Sequence, residues 1–189
     1  YRYIIVGFLI AILLIPMVYN FLPDHAKVRI DVFLNPELDP LGDGYNAIQS
    51  KIAVGAGMLF GTGFLEGSQT QYGYLPVQSS DFIFSVISEE MGFIISALVV
   101  ILYLILLLRI LRTASYAKDK YTSFVAVGIA GMFAFHFIEN IGMSIGLLPI
   151  TGVPLPFVSY GGSNLLTSGI AIGIILNISA RKSQNVFFG

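Results

Sequence analysis

The stretch Phe93–Leu108 limits the possible folds more than any other part of this chain. It is sixteen residues long, carries no charge, and ends at Arg109 and Arg112. A helix that is apolar on every side has no face to offer water, so it belongs in lipid or deep inside protein. Extended back to Phe82, the segment is long enough to cross a bilayer. Tyr3–Phe21, Thr122–Ile145 and Asn164–Ile178 have similar character. The whole chain is 56% hydrophobic and 11% charged, where soluble domains average about 25% charged. The expected fold class is therefore an all-α polytopic membrane protein. It has four transmembrane helices at about 3–21, 82–112, 122–145 and 164–178, in one membrane domain covering 1–189. The first span is too long for a cleaved signal and lacks a small-residue cleavage site. A chain that opens on Tyr1 is expected to be a piece of a longer protein.

The long segment 22–81 is rich in Gly and Pro. Asn35-Pro36 and Asp39-Pro40 mark turns. Tyr45, Ile48 and Ile52 recur at helical spacing, which predicts a short interfacial or re-entrant helix. Gly55, Gly57, Gly61, Gly63 and Gly67 follow, a pattern suited to close packing or tight bends. Basic residues set the orientation. Arg2, the group Arg109, Arg112, Lys118 and Lys120, and the pair Arg181 and Lys182 fall on one side. Both termini are then expected to be cytoplasmic, with segment 22–81 an extracytoplasmic loop. The same orientation brings Asp81, Glu139 and the loop Pro154–Gly162 to the outer face.

Several chemistries are excluded. With no cysteine there is no disulfide, thiolate catalysis or Cys-ligated metal. A net charge of −1 with scattered basic residues argues against a nucleic-acid partner. Asp81 is the candidate catalytic group, one carboxylate at the mouth of a membrane helix. It can serve as a general base or as the helix N-cap, and the residues leave both readings open. Glu89 and Glu90 lie about 12 Å further along a straight helix, too far for the carboxylate pair of a glycosidase. They read either as polar anchors in an outer turn or as part of the site. His136, Glu139 and Asn140 share a helix face and read equally as a functional cluster or as interhelical glue. Gly142/Gly146 and Gly169/Gly173 read as helix-packing pairs. In Val153–Ser163, VPLPFVSYGGS, two prolines stiffen a loop that ends in Gly161 and Gly162, with hydroxyls at Ser159, Tyr160 and Ser163. That loop could be the donor-lined wall of a headgroup site or a structured re-entry loop.

VPLPFVSYGGS, together with SDFIFSVISEEMG at 80–92 and LNPELDPLGDGYNAIQSKIAVGAG at 34–57, resembles the SEDS family (shape, elongation, division and sporulation). Gln49–Ala53, QSKIA, and the FLNPE and DPLG lead-in resemble its RodA branch. The resemblance implies the C-terminal part of a ten-span protein of the bacterial inner membrane. It implies a polymerase of glycan strands from lipid II, inverting at the donor sugar, with undecaprenyl diphosphate leaving. Asp81 would be catalytic. Read from the residues themselves, Lys51, Gln49, Glu89, Glu139, Asn140, Ser159, Tyr160, Gly161, Gly162 and Ser163 are the candidates to line the substrate, Glu139 standing where the family usually has an uncharged residue. The resemblance further implies a divalent cation (Mg or Mn) with unknown ligands, a class B penicillin-binding protein and other elongation-complex membrane proteins as partners, and a role in cell elongation and shape. A lipid-linked precursor flippase and a non-catalytic scaffold that activates a penicillin-binding protein are the alternatives.

Overall fold

The computed structural model describes residues 21–183, and among them every regular element is helical. The predicted first span, apart from Phe21, lies outside the described residues. Among the described residues, three helices are long and apolar enough to cross a membrane: α4 (Ile83–Ser115), α5 (Lys120–Ser144) and α6 (Gly162–Ser183). Three short helices precede them, α1 (Asp24–Leu34), α2 (Asp43–Ala56) and α3 (Ser68–Gln71), with a 3-10 turn at Pro36–Leu38. Helix α2 contains the predicted Tyr45/Ile48/Ile52 face. Helix α1 had no sequence expectation, because its apolar residues form only a weak stripe and Pro23 at its N-cap offers no side-chain acceptor.

α4 is not one straight rod. Gly92 adopts φ 76° and ψ −177°, which breaks the helix. A break frees main-chain groups that lipid cannot satisfy. Segment 58–63 satisfies them. The carbonyl of Glu89 accepts from the amide and hydroxyl of Thr62, and that of Glu90 accepts from the amide of Gly63. The amides of Phe93 and Ile94 donate to the carbonyls of Met58 and Leu59. Glycine is required for this contact. A Cβ on Gly57 would stand 1.7 Å from the Ser88 carbonyl oxygen, and one on Gly61 2.1 Å from that of Glu90. From Phe93 to Ser115 the helix still measures about 34 Å, enough for one bilayer core. The turns before Gly92 are therefore free to serve the loop side.

At the other end of α4, the three long helices meet through small side chains. Ala114, Ala126, Ala130 and Ala171 are buried beside Ile110, Phe133, Ile175 and Ile178, so alanines provide the close approach. Among the described residues, neither glycine pair brings two of the long helices together. Gly146 lies past the end of α5 at φ 76° and faces Lys51, while Gly142 faces Leu148. Gly169 and Gly173 have nothing within 4 Å among the described residues. A second cluster joins Tyr103 of α4, Phe137 of α5 and Leu155 of the following loop. The Tyr103 hydroxyl donates to the Pro156 carbonyl, and the Tyr103 and Phe137 rings stack at 5.1 Å.

Candidate active site

Asp81 sits in the turn that leads into α4. Val77, at φ 54°, starts this turn, and its carbonyl accepts from the amides of Ser80 and Asp81. A β-branched residue rarely holds a positive φ, so surrounding contacts must fix the turn. Those contacts fall on three successive carbonyls. Ser79 O accepts from the Tyr160 amide at 2.8 Å, Ser80 O from the Ser159 hydroxyl at 2.6 Å, and Asp81 O from Asn140 Nδ2 at 2.8 Å. The donors come from the VPLPFVSYGGS loop and from α5, so the main chain of Asp81 is held from two directions.

The carboxylate is held far less. Phe82 occupies the N-cap position of α4, and no side chain caps the helix there. Among the described residues, Asp81 accepts one side-chain hydrogen bond, from the Ser80 hydroxyl to Oδ1 at 2.8 Å. Oδ2 lies 3.1 Å from where a Cβ on Gly152 would stand, so a glycine keeps that side open. Asp81 is half-buried. This is a rigidly mounted carboxylate with acceptor capacity to spare, not a clamped cap.

The loop opposite Asp81 is sewn by the same side chains. Asn140 Nδ2 also donates to Val153 O at 2.8 Å, and His136 Nδ1 donates to Pro154 O at 3.2 Å. Ser159 Oγ accepts from the Leu155 amide at 2.7 Å. Glu139 accepts from the Thr151 hydroxyl at 2.8 Å. Sequence reasoning missed Ser50, which is fully buried. Its hydroxyl meets Ser85 Oγ at 2.7 Å and Ser144 O at 2.8 Å, tying α2 to α4 and α5. Its place between Gln49 and Lys51 was the available signal.

The family model for FtsW, RodA and SpoVE, described as cell cycle protein, matches residues 1–184. The chain belongs to this family. Peptidoglycan glycosyltransferase RodA of Treponema pallidum is 49% identical over 85% of this chain and 37% of its own length. Stage V sporulation protein E of Bacillus subtilis is 51% identical over 80% and 41%. Peptidoglycan glycosyltransferase MrdB of Escherichia coli K12 is 40% identical over 97% and 50%. The chain thus spans half or less of the length of these curated relatives. A solved structure, "Structural coordination of polymerization and crosslinking by a peptidoglycan synthase complex", aligns with a TM-score of 0.73 at 29% identity. The alignment covers 97% of this chain and 50% of the other. In keeping with the family and with its three apolar helices, the chain is a multi-pass membrane protein.

In this FtsW/RodA/SpoVE chain, several residues expected to line the substrate do other work. Asn140 is fully buried, and its amide hydrogens go to two carbonyls, so it is a brace and not a wall. Ser159 is buried, with its hydroxyl committed to Leu155 and Ser80. Glu89 is not in an exposed outer turn. It is fully buried, and its oxygens accept from the amides of Gln69 at 2.8 Å and Thr70 at 3.0 Å. A carboxylate suits the free amides at the start of the single turn α3. Glu90 is buried beside it, 3.4 Å from Thr70 Oγ1 and from Gln71 Nε2.

The remaining expected residues stay accessible. Tyr160, Gly162 and Ser163 are exposed, and Gly161, Glu139 and Gln49 are half-buried. Ser163 shares a cavity of about 210 Å³ with His136, Pro154, Asn164, Thr167 and Ser168. Exposed Lys51 lies against Gly146 and borders a recess with Arg29 and Asp43. No three His, Asp or Glu side chains gather into a metal site among the described residues. These residues therefore do not form a cation cage by themselves.

Proposed function

We propose that the chain is the C-terminal part of a RodA-like polymerase that joins lipid II into peptidoglycan glycan strands. Asp81 is its general base. The observation that carries this reading is the division of labour at Asp81: three braced carbonyls fix the backbone, while the carboxylate keeps free acceptor positions. General-base catalysis needs that combination, because the base must reach one proton in one geometry and must not be saturated by other donors.

In the proposed reaction the acceptor sugar presents its 4-hydroxyl to Asp81. The carboxylate takes the proton as the oxygen attacks the donor's anomeric carbon. The new C–O bond forms on the face opposite the leaving group, and undecaprenyl diphosphate departs with the electron pair of the broken bond. One base suffices, because the diphosphate leaves as an anion and needs no acid. Lys51, Tyr160, Ser163 and the Gly161–Gly162 backbone are the proposed substrate contacts. Magnesium often keeps few protein ligands and binds largely through substrate phosphates. A divalent cation enters the proposal only in that manner, and no step depends on it.

The curated names of the relatives and the solved synthase complex support this reading. The solved complex, whose name joins polymerization to crosslinking, supports a class B penicillin-binding protein as partner. The proposal also takes an elongation role beside other membrane proteins of that machinery, and the bacterial inner membrane with the termini of this piece cytoplasmic, the side to which the basic residues Arg109, Arg112, Lys118, Lys120 and Arg181 assign them. Purified full-length protein incubated with labelled lipid II provides the test. Polymer that disappears in Asp81→Asn with thermal stability intact is the expected result. Wild-type rates in Asp81→Asn would overturn it.

A further inference from the structure

The end of α4 remote from Asp81 carries a feature that glycosyl transfer does not use. Arg109 and Arg112 are one turn apart and exposed, and both line a cavity of about 310 Å³ with Thr113 and with Ser179 of α6. One water occupies about 30 Å³ of liquid, so the space admits a group the size of a phosphodiester. Basic residues at a span's end often serve only as anchors in the interface. Here two arginines line one cleft between two helices, with the Arg112 guanidinium 6.0 Å from the centre of the Tyr116 ring, and among the described residues no carboxylate pairs with either.

The chemistry of the cleft is that of an anion site. The Thr113 hydroxyl donates to the Arg109 carbonyl at 2.9 Å, which leaves the guanidinium forks and Ser179 as donors. Forked guanidinium donors match phosphate oxygens in pairs. Lys118, Lys120 and Arg181 add positive charge nearby in the sequence, against Asp119 alone. Asp119 is occupied by the amide and hydroxyl of Thr122. The C-terminal ends of α4 and α6 each carry about half a negative charge, which the two arginines outweigh. Leu108 and Leu111, next to the two arginines in sequence, and Leu176, one turn before Ser179, are exposed, apolar surface available to acyl chains.

We infer that this cleft binds the phosphodiester headgroup of an anionic glycerophospholipid, in the leaflet that the C-terminal end of α4 reaches. The inference does not rest on the glycosyl-transfer reading. Basic pockets between membrane helices hold such headgroups, with about 1 kcal/mol per arginine near the surface; two arginines correspond to about thirtyfold in affinity.

The test follows thermal unfolding of the full-length protein in neutral detergent while phosphatidylglycerol is titrated in. Phosphatidylcholine and inorganic phosphate form parallel arms. A saturable rise in Tm with phosphatidylglycerol alone is expected, with apparent affinity about thirtyfold weaker in Arg109→Gln/Arg112→Gln. Equal effects of the two lipids would overturn the inference, and so would a rise reproduced by inorganic phosphate. If the glutamine pair does not fold, Arg109→Lys/Arg112→Lys decides. That variant keeps the charge and loses the fork, so severalfold weaker binding is expected, and unchanged affinity overturns the site.

Discussion

Asn140 Nδ2 lies 2.8 Å from the main-chain oxygen of Asp81, across 59 residues of sequence, and the same distance from that of Val153. One buried amide thus joins the turn bearing the proposed base to the loop that faces it. Carbonyls accept and never donate, so only the NH2 side of the amide can fill this position.

Asn140→Ala would leave two carbonyls without their donor. The expected loss is about 2 kcal/mol of stability, read as a lower Tm in nanodiscs, with polymerisation falling at least tenfold. Asn140→Asp is expected to be worse, because it sets an acceptor against two acceptors. Retention of full activity in Asn140→Ala would remove the brace from the account.

Gly57 and Gly55 are two residues apart and should respond in opposite ways. A Cβ on Gly57 would meet the Ser88 backbone at 1.7 Å, whereas one on Gly55 meets nothing within 4 Å. Gly57→Ala is expected to cost about 3 kcal/mol or more, since backbone must move. Gly55→Ala in α2 should be neutral or stabilising by up to about 1 kcal/mol. Chemical denaturation of the two variants checks the contrast.

Glu89 is expected to act on α3 and not on turnover directly. Glu89→Ala should remove hydrogen-exchange protection at the amides of Gln69 and Thr70, which now donate to it. Glu89→Gln keeps one acceptor oxygen and should retain partial protection. Unchanged exchange at both amides in Glu89→Ala would contradict the assignment.

Asp119 caps α5 from outside the membrane, accepting from the Thr122 amide at 2.9 Å and the Thr122 hydroxyl at 2.6 Å. The hydroxyl bond is the largest cause that holds its carboxyl below the usual carboxylate range, followed by the amide bond. A lowered folded-state pKa means the cap's contribution is fully present above the unfolded value, about 3.9. It is lost as pH falls through the folded value. Tm measured from about pH 6 down to about pH 3 should drop less in Asp119→Asn than in wild type, because Asn caps without titrating.

Much was legible in the sequence because the bilayer imposes local rules. A charge-free run such as Phe93–Leu108 has few physical options, so the three long helices among the described residues and the helical class followed from residue type alone. The Tyr45/Ile48/Ile52 spacing likewise placed α2. Asp81 was legible as one carboxylate beside an apolar run, but the sequence could not choose between cap and base. Nor could it show how the turn is held, which depends on donors at Asn140, Ser159 and Tyr160, each 59 residues or more from the carbonyl it braces. The break at Gly92 was hidden for the same reason. It is tolerable only because segment 58–63 folds back to satisfy the freed backbone groups. Local pattern fixes which residues must leave water; which polar groups then meet depends on packing between distant segments, and only the tertiary structure decides it.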